Sequence, residues 1–157
     1  MCIRDRYNLR VEWNGNKGSG TFDYRSYSRN HRIIIPSKSS ELLGSSDPNF
    51  RGDTSRYNPE ELLLSSVSAC HMLWYLHLCS DNDVIVHEYI DDAEGTMEES
   101  ENGSGRFKQI VLKPTVIVTE ARMIQTATDL HHNANEMCFI ANSLNFKVEH
   151  QPRINSL

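Results

Sequence analysis

The chain has 157 residues, of which 38% are hydrophobic and 24% are charged, with 8 Gly and 5 Pro. This length suffices for one domain with a sizeable core, and the composition is typical of a globular protein and excludes disordered and collagen-like classes. The formal net charge is -5, and the basic residues are scattered, which disfavours nucleic acid or an anionic membrane as the partner. We expect a single domain over residues 7–157, and we interpret residues 1–6 as disordered or as a non-native remnant.

Neither a membrane span nor a secretory signal is predicted. The longest apolar candidate, residues 62–78, is interrupted by Ser and His, whereas a bilayer requires about 20 predominantly apolar residues. The N-terminus lacks the apolar core of a signal peptide. The four cysteines are too few and too unevenly spaced for a disulfide scaffold. We therefore expect a cytoplasmic protein with reduced thiols.

Strands and a long loop are predicted before the first helix. Residues 9–13 and 21–28 read as two strands of a hairpin, because turn-forming residues 14–18 separate them. Residues 31–35 form a third short strand. Residues 37–57 are rich in Ser, Asp, Asn and Gly and are predicted to be a long loop. Loops of this length are often functional, which makes this one a candidate active-site element.

The first helix has a well-defined start. Asn58 is a favoured N-cap, Pro59 suits the first helical position, and Glu60 and Glu61 complement the positive end of the helix dipole. The following residues, as far as Cys79, are apolar on nearly all sides. This pattern predicts a helix buried in the middle of the molecule.

A second hairpin and a second helix follow. Residues 84–97 and 106–113 alternate as strands around a polar tip, and residues 116–118 extend the second of them. An apolar face from residue 120 to about residue 136 predicts a helix, and residues 146–150 predict a last strand. The order of three strands, helix, two strands, helix and strand gives an α+β fold without internal repeats.

Two cysteines are candidates for chemistry. Cys70 lies among small residues in the first helix, and Cys138 follows the second helix directly. Each of them alone is interpreted as a small buried hydrophobic residue, and only together do they suggest a dithiol. A buried thiol becomes a nucleophile when a cation lies beside it. The long loop supplies Arg51 and Arg56, and the preceding strands supply Arg25, Arg29 and Arg32.

Glu60 could hold such an arginine in place. It precedes Cys70 by ten residues, which on a straight helix is about 15 Å of rise and about 80° of rotation, so the two side chains cannot share a site directly. Either a long arginine bridges part of the gap, or Glu60 and Cys70 of different subunits meet. The second arrangement predicts a dimer with sites at its interface.

No metal or other cofactor is predicted. His132 and Glu136 are separated by one helical turn, but neither a paired CxxC nor an HExxH motif accompanies them. A metal-dependent hydrolase would need at least three of the His, Cys and Glu candidates to converge. The sequence also lacks a phosphate-binding glycine loop and a nucleophile elbow.

Three short motifs in order resemble the OsmC/Ohr family of organic hydroperoxide reductases. They are NPEELL at 58–63, SACHM at 68–72 and CFIANS at 138–143. The resemblance covers about residue 9 to the C-terminus and implies the OsmC-like fold. In that fold two central helices are wrapped by antiparallel sheets, and two α+β subunits form an intertwined homodimer with two sites at the interface.

The resemblance also implies a mechanism and roles for residues. Cys70 would attack the peroxide bond of an organic hydroperoxide and become a sulfenic acid, and Cys138 would resolve it as a disulfide. A dithiol such as a lipoylated protein would then reduce the disulfide. Glu60 matches the family's arginine-orienting Glu. Arg51 is our choice for the arginine that stabilises the thiolate, with Arg29 as the alternative.

Two departures from the family pattern indicate a less typical subgroup. Phe139 follows the second cysteine where Pro is usual, and His71 follows the first. A function of another class therefore stays open, namely a stress-associated protein that keeps the fold and binds a small apolar ligand without peroxidase turnover. Contact of Cys70 with Cys138 and with an arginine distinguishes the two hypotheses.

Overall fold

The computed structural model describes residues 5–157, and the predicted α+β class is confirmed. The chain divides into two compact units, Met1–Leu62 and Leu63–Leu157, which are described separately below. Residues 1–4 lie outside the described part. The interpretation of residues 1–6 as a remnant and the prediction of a single domain therefore stay predictions.

The first unit contains one antiparallel sheet of three strands in the order β1-β2-β3. The strands are β1 (Arg10–Trp13), β2 (His31–Ile34) and β3 (Leu42–Gly44). Arg32 on β2 forms ion pairs with Glu12 at 2.7 Å and with Glu41 at 3.4 Å. These pairs lie on the solvent side and add charge complementarity between neighbouring segments.

The predicted hairpin of residues 9–13 with 21–28 is wrong, because β1 pairs with β2 instead. Residues 21–28 form turns and bends inside the connection between these strands. The ends of this connection are closed by Asn14 N–H donating to Asn30 O (3.1 Å) and by Ser28 N–H donating to Gly15 O (2.9 Å). A Cβ at Gly15 would lie 1.9 Å from Ser28 O, so this closure requires glycine.

The predicted loop of residues 37–57 is partly structured. It contains β3 and a short 3₁₀ turn, Pro48–Phe50, which the Asp47 side chain caps by accepting from Asn49 N–H. A bridge between Gly44 and Tyr57 returns the chain to the sheet edge just before the first helix. Strand β3 is not predicted from the sequence, because a strand of three residues is too short to show an alternating pattern.

Helix α1 (Pro59–Asp81) begins as predicted. Glu61 N–H donates to Asn58 Oδ1 at 2.8 Å and Asn58 N–H donates to Glu61 Oε2 at 3.0 Å, which is a reciprocal capping box. In the single chain α1 is buried along one side, so the predicted burial in the middle of the molecule is found for that side only. One side chain per turn is fully buried, at Val67, His71, Tyr75 and Cys79, while Leu73 is 63% exposed.

Among residues 5–157, α1 is also the one helix long and apolar enough to cross a membrane by length and composition alone. Core helices of water-soluble proteins pass the same test, so no membrane span is assigned to it.

The second unit holds two three-stranded sheets, ordered β4-β7-β9 and β5-β6-β8. The strands are β4 (Val86–Asp91), β5 (Glu94–Glu99), β6 (Gly105–Leu112), β7 (Pro114–Val118), β8 (Glu149–His150) and β9 (Arg153–Ser156). The β4–β7 and β5–β6 pairs are antiparallel, whereas β8 joins β6 and β9 joins β7 in parallel.

The predicted long strand of residues 84–97 is two strands in different sheets, and residues 116–118 do not extend β6 but belong to β7. Both changes of sheet occur side by side, where Asp91 Oδ1 accepts a hydrogen bond from Lys113 N–H at 2.7 Å. The other carboxylate oxygen of Asp91 accepts from the Ser68 hydroxyl of α1 at 2.5 Å. The last predicted strand, 146–150, is shortened to β8, and β9 was not predicted.

Helix α2 (Ile124–Met137) confirms the predicted second helix. A 3₁₀ turn, Ala121–Met123, precedes it. Its buried face packs with the apolar side of α1 and with the β4-β7-β9 sheet. The buried members of this core are Tyr75, Cys79, Val84, Val116, Val118, Met123, Ala127, Leu130 and Ala134. A smaller core of Val67, Ile110, Leu112 and Val148 lies on the other sheet.

Candidate active site

The structure brings Cys70 and Cys138 together. Cys70 lies in the middle of α1 and is half-buried, whereas Cys138 caps the C-terminus of α2 and is fully buried. The Cys70 side chain lies beside the Cys138 thiol and acts on its titration, and both cysteines are free thiols. One sulfur can therefore be reached from outside, and the second lies directly behind it.

Burial dominates the titration of Cys138 and raises the pKa of its thiol to about 11. The backbone N–H of Ala141, 3.4 Å from Sγ, acts in the opposite direction, and the neighbouring Cys70 side chain raises the pKa further. Cys138 is consequently a protonated thiol near neutral pH. It becomes a better nucleophile only if its proton is taken up as it reacts.

The segment after α2 fixes the position of Cys138. Asn142 Nδ2–H donates to Glu136 O at 2.9 Å, and the Ser143 hydroxyl donates to Phe139 O at 2.8 Å. Residues Ala141–Ser143 form a 3₁₀ turn, whose first N–H is the one that faces Sγ. The Asn and Ser of the CFIANS motif thus close the turn that holds the sulfur.

Aromatic side chains lie next to both cysteines. Trp74 follows Cys70 by one helical turn, Phe139 follows Cys138 directly, and their rings meet edge to face with centroids 5.7 Å apart. Phe139 is 68% exposed. An open cleft of about 320 Å³ is lined by Leu73, Trp74 and His77. Through Trp74, this cleft offers apolar and aromatic contacts one helical turn from Cys70.

A buried layer of histidine and tyrosine side chains lies between α1 and α2. The imidazoles of His71 and His131 share a hydrogen bond of 3.0 Å, and the Tyr75 ring stacks on His131 with centroids 3.9 Å apart. Tyr89 and His150 complete the layer. From the sequence, His71 is identified only as a departure from the family pattern. Its pairing with His131 is not predicted.

These imidazoles are neutral. Burial lowers the pKa of His71 to about 4 and that of His131 to about 3, with the neighbouring histidines acting in the same direction. Burial also lowers the pKa of His150. Within residues 5–157, no group of three or more His, Cys, Asp or Glu side chains is arranged to hold a metal ion.

Glu60 and Arg51 belong to the first unit. Arg51 follows the 3₁₀ turn with a left-handed backbone (φ 65°) and is exposed, and Glu60 is half-buried in the first turn of α1. Neither side chain forms an ion pair or a hydrogen bond with any of residues 5–157. Their predicted roles beside the Cys70 thiolate stay predictions.

The alternative arginine, Arg29, is engaged within the first unit. Its guanidinium lies 4.2 Å from the centroid of Tyr24 and 4.1 Å from that of Tyr27, and it donates to the backbone oxygens of both tyrosines at 2.7 and 2.8 Å. Cation–π contacts and two charge-assisted hydrogen bonds hold it there. Two donors of the Arg29 guanidinium are therefore already engaged within the first unit.

Comparison with known proteins gives one sequence family and one fold. The sequence profile of the OsmC-like proteins matches residues 52–152. No curated protein matches the chain. A solved structure of an OsmC-like protein of unknown function from Vibrio cholerae is 29% identical, covers 96% of this chain and 100% of its own, and has a TM-score of 0.84.

Two more distant structures share the fold. An organic hydroperoxide resistance protein from Elizabethkingia anophelis is 16% identical with full coverage of both chains and a TM-score of 0.72. An organic hydroperoxide resistance protein from Legionella pneumophila is 13% identical, with 98% and 99% coverage and a TM-score of 0.68. The α+β architecture of this chain is therefore that of the OsmC/Ohr structures.

Proposed function

The chain belongs to the OsmC-like protein family, and we propose that it is a thiol-dependent peroxidase that reduces organic hydroperoxides to alcohols with Cys70 and Cys138. The observation that carries this proposal is the contact between the half-buried Cys70 and the buried Cys138 thiol. A pair of this kind can be oxidised by two electrons and closed as a disulfide. Structures of the same fold are named organic hydroperoxide resistance proteins.

The first step is attack of the Cys70 thiolate on the hydroperoxide. The sulfur bonds to the terminal oxygen, the O–O bond breaks, and the alkoxide leaves and takes a proton to become the alcohol. Cys70 is oxidised to a sulfenic acid while the peroxide is reduced. Cys70 is assigned this role because it is the more exposed of the two sulfurs, and peroxide must arrive from outside.

The second step is attack of the Cys138 sulfur on the sulfenic sulfur of Cys70. An S–S bond forms, the S–O bond breaks, and the thiol proton of Cys138 leaves with the hydroxide as water. Because the pKa of Cys138 is about 11, it does not compete as a thiolate for the first step near neutral pH. The two different environments therefore assign two different roles to the cysteines.

A dithiol reductant such as a lipoylated protein would return the disulfide to two thiols. Arg51, oriented by Glu60, would stabilise the Cys70 thiolate. The ten-residue separation of Glu60 and Cys70 is accommodated if two copies of the chain form an intertwined homodimer with the site at their interface. The exposed apolar side of α1, with Leu73 at 63% exposure, supports such a dimer. We place the protein in the cytoplasm, where reductants keep thiols available.

The apolar surface around Trp74 and Phe139 favours an organic hydroperoxide over hydrogen peroxide, because only the organic substrate can bury apolar area there. The same surface also suits the second candidate function, binding of a small apolar ligand without turnover. The two functions differ in whether Cys70 is consumed by a hydroperoxide.

The test is consumption of cumene hydroperoxide by the purified protein with dithiothreitol as the reductant. We expect turnover by the parent, slower reaction with hydrogen peroxide, and loss of turnover in Cys70→Ser. Cys79→Ser is the matched control, because Cys79 is a buried helix cysteine whose pKa is also raised by burial to about 11. Background rates in the parent, or full activity in Cys70→Ser, would leave ligand binding as the function.

A further inference from the structure

Two polar contacts connect α1 and α2 next to the cysteine pair. His71, the residue after Cys70, shares a hydrogen bond with His131. One turn further along α1, the Tyr75 hydroxyl donates to Ala127 O at 3.0 Å. A step of four residues forward on α1 corresponds to a step of four residues backward on α2, so the two contacts are successive rungs between antiparallel segments.

Cys138, the C-cap residue of α2, follows His131 by about two helical turns of chain. Any displacement of α2 along its axis is therefore transmitted to the sulfur. A shift by one residue moves a helix by about 1.5 Å, which is enough to separate two sulfurs in contact. The axial position of α2 on α1 thus decides whether Cys138 can reach Cys70.

The apolar contacts between the helices do not by themselves fix the axial position of α2 along α1. Small buried residues such as Ala127 and Ala134 belong to the core that the two helices share, and hydrophobic burial is non-directional. Hydrogen bonds are directional, and breaking one inside a dry interface leaves a buried polar atom unsatisfied. His71 and His131 are both fully buried, so their bond can hold the register of the helices.

The described surroundings of His71 and His131 offer their ring nitrogens no replacement for the bond that the two share. His71 Nδ1 and His131 Nε2, the ring nitrogens outside this bond, have no partner among the described residues. Loss of the shared bond would leave four ring nitrogens unsatisfied in place of two. Stacking of Tyr75 on His131 keeps that ring in plane for the bond.

We propose that His71 and His131 are positioning residues for the dithiol: their hydrogen bond fixes α2 against α1 so that the Cys138 sulfur stays in contact with the Cys70 sulfur. The inference rests on the proposed function for its effect on turnover, but the geometry that it explains does not. The step that it controls is closure of the disulfide, in which Cys138 displaces hydroxide from the Cys70 sulfenic acid and water is released.

One variant that removes the His71–His131 hydrogen bond and one that retains it test this role. His131→Leu removes it and keeps a side chain of similar size. His71→Gln together with His131→Asn retains it, because a Gln amide reaches the position of Nε2 and an Asn amide that of Nδ1. His132→Leu is the matched control, since His132 is the next residue of α2 and its side chain is 72% exposed.

Single-turnover kinetics with cumene hydroperoxide separate the two steps. Consumption of the first equivalent of hydroperoxide measures oxidation of Cys70, and loss of dimedone-reactive sulfenic acid measures closure. We expect His131→Leu to slow closure by about tenfold or more, since a 1 Å misplacement can cost up to about a hundredfold, while oxidation of Cys70 is unchanged. The double variant should restore closure, and His132→Leu should match the parent. Equal slowing of both steps would show a general structural defect and overturn the proposal.

A second readout does not require peroxidase activity. Equilibration of each variant with reduced and oxidised glutathione gives the effective concentration of Cys138 toward Cys70. We expect it to fall about tenfold in His131→Leu and to recover in the double variant. If the parent does not react with hydroperoxides and this pattern is still observed, the proposed function fails while the positioning role holds. An unchanged effective concentration in His131→Leu overturns the positioning role, and His71→Leu, which also removes the bond, replaces that variant should it not fold.

Discussion

The backbone N–H of Ala141 faces the sulfur of Cys138 at 3.4 Å. It comes from the turn that follows α2, so the segment carrying the buried thiol also supplies the group that would stabilise negative charge on it. Burial outweighs this contact and keeps the pKa at about 11. The result is a buried sulfur that stays protonated near neutral pH, as the proposed resolving role of Cys138 requires.

Stability should fall in acid because of the buried histidines. An unfolded imidazole has a pKa of about 6.5, whereas burial lowers the pKa of His71 to about 4 and that of His131 to about 3 in the folded chain. The unfolded chain therefore binds more protons below about pH 6.5, and the free energy of unfolding decreases as the pH falls from there toward 4. Urea unfolding between pH 7 and 4 measures this loss.

The double variant His71→Gln with His131→Asn is the control for that experiment, because it removes both titratable groups. Its free energy of unfolding should depend less steeply on pH than that of the parent over the same range. Parallel curves for the two proteins would mean that these imidazoles do not contribute. Carboxylates titrate in both proteins and cancel in the comparison.

Asn58→Ala should destabilise the start of α1. The substitution removes the side-chain acceptor of Glu61 N–H (2.8 Å), and loss of an N-cap costs about 1 kcal/mol. The measurement is the urea midpoint at constant slope. Asn133→Ala is the matched control, since Asn133 is exposed in the middle of α2. A loss of stability as large in Asn133→Ala as in Asn58→Ala would contradict the role of the cap.

Trp74→Leu should change the preference among hydroperoxides. The Trp74 ring packs edge to face on Phe139 beside both cysteines, and an aromatic pair contributes about 0.5–1.5 kcal/mol beyond its area. We expect KM for cumene hydroperoxide to rise several-fold, with a smaller change for tert-butyl hydroperoxide, which lacks a ring. The ratio of the two KM values is independent of enzyme concentration. An unchanged ratio would place the substrate elsewhere.

Local sequence patterns were sufficient for both helices. The NPEE start predicted the cap that Asn58 and Glu61 form, and the apolar period predicted the buried face of α2. Each of these features is decided within a few neighbouring residues. The same is true of the turn after Cys138, whose Asn142 and Ser143 bond to residues close in sequence.

Long-range pairings were not accessible in the same way. The alternation of residues 9–13 suits any neighbouring strand, and only the fold selects β2 as the partner. Strand β9 was missed because it is short, partly exposed and paired in parallel with the distant β7. Residues 84–97 divide between two sheets at Asp91. The Asp91 carboxylate accepts hydrogen bonds there from Ser68 and Lys113, and both residues are distant from Asp91 in the sequence.

The candidate active site also combines features that short sequence motifs predict with long-range contacts that they do not. The family motifs singled out Cys70 and Cys138, and their contact in the structure agrees with a dithiol. The pairing of His71 with His131 joins residues 60 positions apart, and neither has a flanking motif that reveals the other. The sequence carries one local hint, the spacing of the contact residues on each helix. His71 and Tyr75 on α1 are one helical turn apart, and so are Ala127 and His131 on α2.

In the proposed mechanism, one hydroperoxide molecule joins Cys70 to Cys138. The most direct measurement is to treat the reduced protein with one equivalent of cumene hydroperoxide, block the remaining thiols, and identify the cysteine peptides by mass spectrometry. We expect a Cys70–Cys138 disulfide with Cys79 alkylated, and a dimedone adduct on Cys70 in Cys138→Ser. Free Cys70 after treatment, or a disulfide that involves Cys79 and not Cys138, would contradict it.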